Sequence, residues 1–368
     1  MTDVAARSYL PTPLHARTAE LCATNAWTEE CGFTVPAAYG SLREEQDALG
    51  SRVALSDLSA RQCWAIEGPD AAAFLSFATI SDVARLETGQ TVRTLWCDDA
   101  GFVRGDGLIA HFGKLQFELS STVRDFTWML DGAQGFGVKI TNATGARAAI
   151  GVRGPLASNL LAAAGLSTEA ADAGGLIHPS WRPAQVALMR DASGEGFELS
   201  MQADDGVLVW DRLWRSGAAL GVAAAGAHAL EALRIENGVP RAGVDWQPAH
   251  LVRDPADFRT PADLGFTPDL TRRFNGADTL RRGRAELRQV LVQFSADEPL
   301  APGPLSMRSV IVGRLTSQAW SETRAVAHAL GWLDIDAVKI GTKVSVPGPT
   351  GPVRAEIVRQ VFAKTIDA

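Results

Sequence analysis

The side chains best suited to covalent or metal chemistry are spaced against it. Four cysteines, Cys22, Cys31, Cys63 and Cys97, lie far apart and form no CxxC pair. Neither a zinc site nor a disulfide framework is expected from them. The six histidines (His15, His111, His178, His228, His250 and His328) show no HExxH or other ligand spacing, so no metal is expected. No GxGxxG opens a helix after a strand, and GxxxxGK(S/T) and GxSxG are absent. Dinucleotide, P-loop and α/β-hydrolase chemistry therefore lack their usual supports. Carboxylates and guanidiniums remain. Asp106 sits in a glycine-rich hairpin, Glu198 ends Gly196-Phe197-Glu198, and Arg234 lies in a helical stretch. A semi-buried carboxylate can place a proton or hold a developing positive charge.

These residues need elements to position them. The first strand of the hairpin runs from Thr91 to Cys97, turns at Asp98-Asp99-Ala100-Gly101, and returns from Phe102 towards Phe112. Val186 to Arg190 and Gly196 to Met201 read as a second strand pair, which carries Glu198. A helix from about Ala227 to Asn237, with Ala229, Leu230, Leu233 and Ile235 apolar and a Gly238 stop, carries Arg234. One weak repeat links the halves of this region. Trp64 to Leu75 and Ile150 to Leu161 each read as a strand, a Gly-Pro corner (Gly68-Pro69, Gly154-Pro155) and a helix, with proline expected in the first helical turn. From Arg288 the texture changes to short β-like runs between Pro and Gly turns, a small all-β barrel or sandwich. The preceding alternation is α+β in style, without the rhythm of a doubly wound sheet.

At 368 residues, with 46% hydrophobic and 21% charged side chains, the chain is long enough for two or three domains. A net charge of −7 with no basic block argues against nucleic acid or an anionic membrane as partner. No apolar run reaches bilayer length, and the N-terminus lacks the pattern of a secretion signal. With reduced cysteines, these features suit a cytoplasmic location.

In order along the chain, the motifs resemble the folate-binding T-protein superfamily. The resemblance starts at Thr12-Pro13-Leu14-His15 and the Gly32 to Tyr39 stretch. It continues through Ala54 to Ser59, Gly68-Pro69-Asp70-Ala71, Thr79 to Val83 and Gly101 to Ile109. Later come Gly196-Phe197-Glu198, Leu233 to Gly238, Gly243-Val244-Asp245, Leu264-Gly265-Phe266, Phe274-Asn275-Gly276, Gly313 to Ser317 and Ala355 to Val358. The resemblance implies an α+β fold of two related, interleaved lobes around a central folate cavity, with a C-terminal β-barrel. Residues 1–284 would form the folate-binding catalytic region and 285–368 the barrel domain.

It also implies tetrahydrofolate as cofactor, with Glu198 accepting hydrogen bonds from the pterin edge and Arg234 near the pterin or the carboxylate end, Glu236 being a candidate partner. Asp106 matches the second acid of a family Asp-Asp pair whose first position is Gly105 here. Taken alone, these residues also read as a strand glutamate, a helix arginine paired to Glu231 or Glu236, and a turn aspartate. Departures from the family pattern bear on the donor. Arg93 stands where a tyrosine is usual, and Ser120-Ser121-Thr122-Val123 replaces an Asn-Ala-Ala-Asn stretch. Ser120 and Thr122 keep hydrogen-bonding capacity for folate. Tyr39, Arg93, Trp96 and Trp246 are the candidates for a substrate pocket, where Trp96 and Trp246 also read as core.

The expected activity is transfer of a methyl group from a small O-, S- or N-methyl compound to N5 of tetrahydrofolate. The first alternative is a glycine-cleavage-type aminomethyltransferase, whose partner would be a lipoylated carrier protein. The second is a non-enzymatic folate-binding protein, whose cysteine-bearing signature is missing at Arg272 to Asp278.

Overall fold

The computed structural model describes residues 9–168, 171, 175–177, 181–182, 184–191, 196–283 and 289–362. The expected boundary at 284/285, the turn at 192–195 and His178 lie outside them. Two compact units alternate along the chain. Met1–Ala65, Gly89–Thr91 and Thr141–Ala229 make the first, and Ile66–Thr88, Val92–Ile140 and Leu230–Ala368 the second.

In the first unit a six-stranded sheet runs Leu176–Ile177, Val186–Arg190, Gly196–Gln202, Arg147–Arg153, Ala54–Asp57, Ala223–Ala224. Its buried residues Leu55, Ile150, Val152, Leu188 and Leu199 pack in one cluster with Val209, Trp210 and Leu213. Those last three, with Gly206, repeat at i, i+3, i+4 and i+7 of the Gly206–Ser216 helix, the stripe that lets a helix bury one face. A smaller sheet orders Leu10–Pro11, Phe33–Ala38 and Ala26–Glu30. The sequence reading left that sheet and the Leu42–Ser51 and Gly206–Ser216 helices unassigned.

The expected hairpin forms in the second unit as Thr91–Cys97 and Val103–Gly113, with Gly101 at φ +78° in its turn. It sits in a five-stranded sheet ordered Thr91–Cys97, Val103–Gly113, Gln116–Ser121, Gln62–Glu67, Lys139–Asn142. The chain crosses between units within three of these strands, at 65/66, 91/92 and 140/141. Leu95, Cys97 and Val103 share a buried cluster with Ile235, Trp246, Leu264 and Trp332.

The C-terminal strands close into a barrel, which decides between the two all-β readings. Its order is Gln289–Ala296, Val326–Asp334, Val310–Ser321, Gly303–Met307, Lys343–Gly348, Gly351–Gln360. Val353, Ala355 and Ile357 face its core while Pro352, Arg354 and Glu356 are exposed, the two-residue period of a one-sided strand. Gly303–Met307 and Val326–Asp334 carry too little alternating pattern to have been read as strands beforehand.

Both Gly-Pro corners exist, one in each unit, but proline does not open the helix. The amide of Ala71 donates to the Gly68 carbonyl at 3.1 Å, and that of Ala157 to the Gly154 carbonyl at 3.0 Å. Pro69 and Pro155 thus occupy the second place of a β-turn, which their fixed φ favours, and the helices begin at Ala71 and Ala157. The glycines are required. Gly68 and Gly154 have φ +137° and +114°, and a Cβ would lie 2.3 Å from the Gly137 carbonyl oxygen and 2.6 Å from that of Arg52.

Candidate active site

A pocket of about 230 Å³ lies within the second unit, and Asp106, Arg93 and Arg359 line it. Arg93 and Leu95 are two apart on the Thr91–Cys97 strand, so both side chains project to one face. Asp106 comes from the neighbouring Val103–Gly113 strand. Arg359 is placed by an irregularity: the register slips from Gln293↔Arg359 to Phe294↔Ile357, a bulge that re-aims the strand end. Its Nε then donates to Gln293 Oε1 at 2.6 Å. Trp246, Leu264, Phe266 and Phe362 supply apolar wall.

Asp106 is half-buried as a residue, yet its Oδ1 is closed off from solvent and has no hydrogen-bond partner. Burial pushes its carboxyl above the usual aspartate range, against the opposing pull of the Arg93 charge and the Asp106 amide. A buried carboxylate oxygen lacking a donor is costly in a protein interior. Such an atom fits a ligand that brings an N–H or a positive centre to it. The Arg93 side chain is exposed and makes no hydrogen bond among the described residues.

Gly105 and Gly107 flank Asp106 for a packing reason. A Cβ on Gly105 would fall 2.2 Å from the Trp96 ring, and one on Gly107 3.3 Å from it and 2.7 Å from the Ser120 carbonyl oxygen. Trp96 thus fills the space beside the position where the family pattern carries its first acid. It is wholly buried and donates from Nε1 to Asp125 Oδ2 at 2.9 Å. Asp125 also takes a two-pronged pair from Arg104, at 3.0 and 2.7 Å, and that guanidinium stacks over Trp128. Trp96 supports the strand from below, whereas Trp246 faces the pocket.

Ser120 and Thr122 flank the serine that tethers Asp106. Ser121 Oγ donates to the Asp106 carbonyl at 2.7 Å and accepts from the Val123 amide at 2.8 Å. Ser120 is half-buried on the Gln116–Ser121 strand opposite Leu108, and Thr122 is exposed. Sequence reasoning passed over Ser121, although it is the buried member of the triplet.

Glu198 and Tyr39 belong to the first unit. Glu198 is half-buried on the Gly196–Gln202 strand, and both its oxygens accept from Arg61, the Nη1 bond measuring 3.1 Å. Each oxygen keeps lone-pair capacity for another donor. Arg61 had not been singled out. The Tyr39 hydroxyl is buried without a partner, and burial together with the Asp57 charge pushes its pKa up.

Arg234, in the second unit, is heavily engaged. It donates to Glu231, to the Val239 carbonyl at 2.8 Å and to Asp245 Oδ2 at 2.7 Å. These partners raise its pKa against desolvation by burial. Asp245 in turn accepts from Thr316 and Ser317 of the barrel at 2.6 and 2.7 Å. The candidate partner Glu236 pairs instead with Arg324. Four of the five Arg234 N–H groups are used, which leaves one for a ligand. Among the described residues no cluster of metal-ligating side chains occurs.

The GCVT N-terminal domain family matches residues 14–255, and the glycine cleavage T-protein C-terminal barrel domain matches residues 289–364. An aminomethyltransferase of Frankia alni is 30% identical over 365 residues, covering 95% of this chain and 96% of that protein. A 4-methylaminobutanoate oxidase (formaldehyde-forming) of Paenarthrobacter nicotinovorans is 29% identical over 90% of this chain and 43% of its own length. The crystal structure of the glycine cleavage system aminomethyltransferase T from Bartonella henselae superposes with a TM-score of 0.84 at 22% identity. It covers 97% of this chain and 99% of that one, and the fold is therefore the same. With both domains matched in order, the chain belongs to the glycine cleavage T-protein family.

Proposed function

We propose that this protein moves a one-carbon unit from a nitrogen-bearing donor to tetrahydrofolate, and that the donor is an aminomethyl group held on a lipoylated carrier protein. Many relatives bear the name aminomethyltransferase, which moves aminomethyl transfer ahead of the demethylation first expected from the sequence. The observation that carries the chemistry is the Asp106 side chain lining the pocket, its Oδ1 buried and without a hydrogen-bond partner. Tetrahydrofolate supplies the amine nitrogens that accept the carbon. Asp106 would hold the positive charge that develops at the donor nitrogen, or take the proton an accepting nitrogen releases. The wall of Trp246, Leu264 and Phe266 excludes water from that exchange. At about 230 Å³ the pocket suits the reacting end of such molecules, since cavities enclosing a whole drug-sized ligand run to roughly 300–1,000 Å³.

In balanced form, the donor carbon loses its bonds to sulfur and to the amino group and gains two bonds to tetrahydrofolate nitrogens. The two displaced protons leave with ammonia and the thiol. Incubation with the aminomethylated carrier and tetrahydrofolate is expected to release ammonia and methylenetetrahydrofolate together. Ammonia release that does not depend on tetrahydrofolate would sink this reading.

Demethylation stands as a second reading because Arg93 occupies a position where the family pattern has tyrosine, and because a relative acts on 4-methylaminobutanoate. A panel of methylated acids supplied with tetrahydrofolate in place of the carrier separates the two, methyltetrahydrofolate being its product.

A further inference from the structure

The charges around Asp106 do not cancel. Arg93 and Arg359 both line the pocket with it, giving two guanidiniums to one carboxylate. The hydrogen-bond partners of Arg359 are neutral: Gln293 Oε1 at 2.6 Å and the Glu236 carbonyl at 3.4 Å. The Glu236 carboxylate is taken by Arg324. Both arginines are exposed enough to meet an incoming molecule, and a planar guanidinium presents a fork that matches a carboxylate. The Asp106 residue lines the same cavity, and its buried Oδ1 lacks a donor. The pocket is therefore polarised, anion-seeking at the arginines and cation-seeking at the aspartate, with apolar Trp246 and Phe266 in its wall.

We infer that Arg93 and Arg359 form a carboxylate-recognition pair, so that the ligand of this pocket is a small acid whose opposite, positively charged or N–H-bearing end is held by Asp106. The inference rests on the reading of this pocket as the reaction site. It adds a residue-level criterion for the ligand: a carboxylate at one end of the molecule is required. Two sources supply that chemistry, a methylated acid donor of the second reading and the glutamate tail of tetrahydrofolate.

Calorimetric binding with two ligand pairs distinguishes them. Trimethylammonioacetate is compared with choline, which has the same cationic end and no carboxylate. Tetrahydrofolate is compared with 6-methyltetrahydropterin, which keeps the reduced pterin and has no carboxylate. If the donor carries the acid, Arg93→Gln weakens trimethylammonioacetate by about tenfold or more and leaves choline unchanged, as loss of a charge-assisted bond predicts. If the tail carries it, Arg93→Gln weakens tetrahydrofolate by a like factor and spares 6-methyltetrahydropterin. Arg359→Gln moves the same ligand in either case, and Arg93→Lys restores part of the loss by keeping the charge. Melting temperatures equal to wild type confirm that the variants fold. The inference is overturned if correctly folded Arg93→Gln and Arg359→Gln both bind every ligand within twofold of wild type, or if wild type binds neither carboxylate-bearing ligand more tightly than its carboxylate-free counterpart. A wild-type protein that binds trimethylammonioacetate in an Arg93-dependent way but binds neither tetrahydrofolate nor 6-methyltetrahydropterin would instead remove the tetrahydrofolate reading and leave this inference standing.

Discussion

Asp106 is held in a state that is unfavourable for folding and useful for chemistry. Burial pushes its pKa up from an ordinary value of about 3.9. Below that value the carboxyl is protonated in both folded and unfolded chains and imposes no penalty. As pH rises, the unfolded chain loses its proton first, so stability falls until the raised folded pKa has been passed. Each pH unit within that window costs about 1.4 kcal/mol. Asp106→Asn removes the dependence. Its melting temperature should match wild type near pH 4 and exceed it near pH 8, as thermal denaturation across that range will show. Equal curves at both pH values would mean that the carboxylate is not destabilising. Asp106 was legible because it matches the second acid of the family's Asp-Asp pair in the glycine-rich hairpin. Arg61 was not, because 137 residues separate it from Glu198 and nothing local marks the pair. Ser121 was passed over for its neighbours, since only the strand's pairing shows which serine faces inward.

Among the elements, the Val103–Gly113 strand positions Asp106, and its glycines are explained by Trp96. Any side chain at Gly105 enters the space of that ring. Restoring a family-like acid pair by Gly105→Asp should therefore destabilise the protein, by about 1–3 kcal/mol for overpacking alone and further for the buried charge. Adding Trp96→Leu should recover part of the loss, giving a favourable coupling in a double-mutant cycle of chemical denaturation. Strict additivity would place the clash elsewhere. The hairpin and the Ala227–Glu236 helix were legible because their periodicity and turn residues agree. The expected places of Pro69 and Pro155 differ from the observed ones by two residues, because a proline before a helix cap and one at its first residue look alike in sequence. The bulge that aims Arg359 had no local signature, since it depends on which strand lies beside it.

At the scale of the whole molecule, ordered motifs over most of the chain predicted the family and the C-terminal barrel. Each motif is short, and their order carries the information. Two compact units alternate along the chain, and each holds one of the two Gly-Pro corners with the helix that follows it. The choice of donor was less legible. Arg93 differs from the family pattern, but only the pocket shows which charges stand beside it.

On the proposed function, Asp106 is the group that drives one-carbon transfer onto tetrahydrofolate. The most direct test of that role is to compare wild type and Asp106→Asn for tetrahydrofolate affinity and for single-turnover formation of methylenetetrahydrofolate from the aminomethylated carrier. The account predicts affinity within about threefold and a transfer rate lowered by roughly 10²-fold or more, the scale of a lost acid–base or electrostatic group. An Asp106→Asn protein that transfers the carbon at the wild-type rate would contradict it.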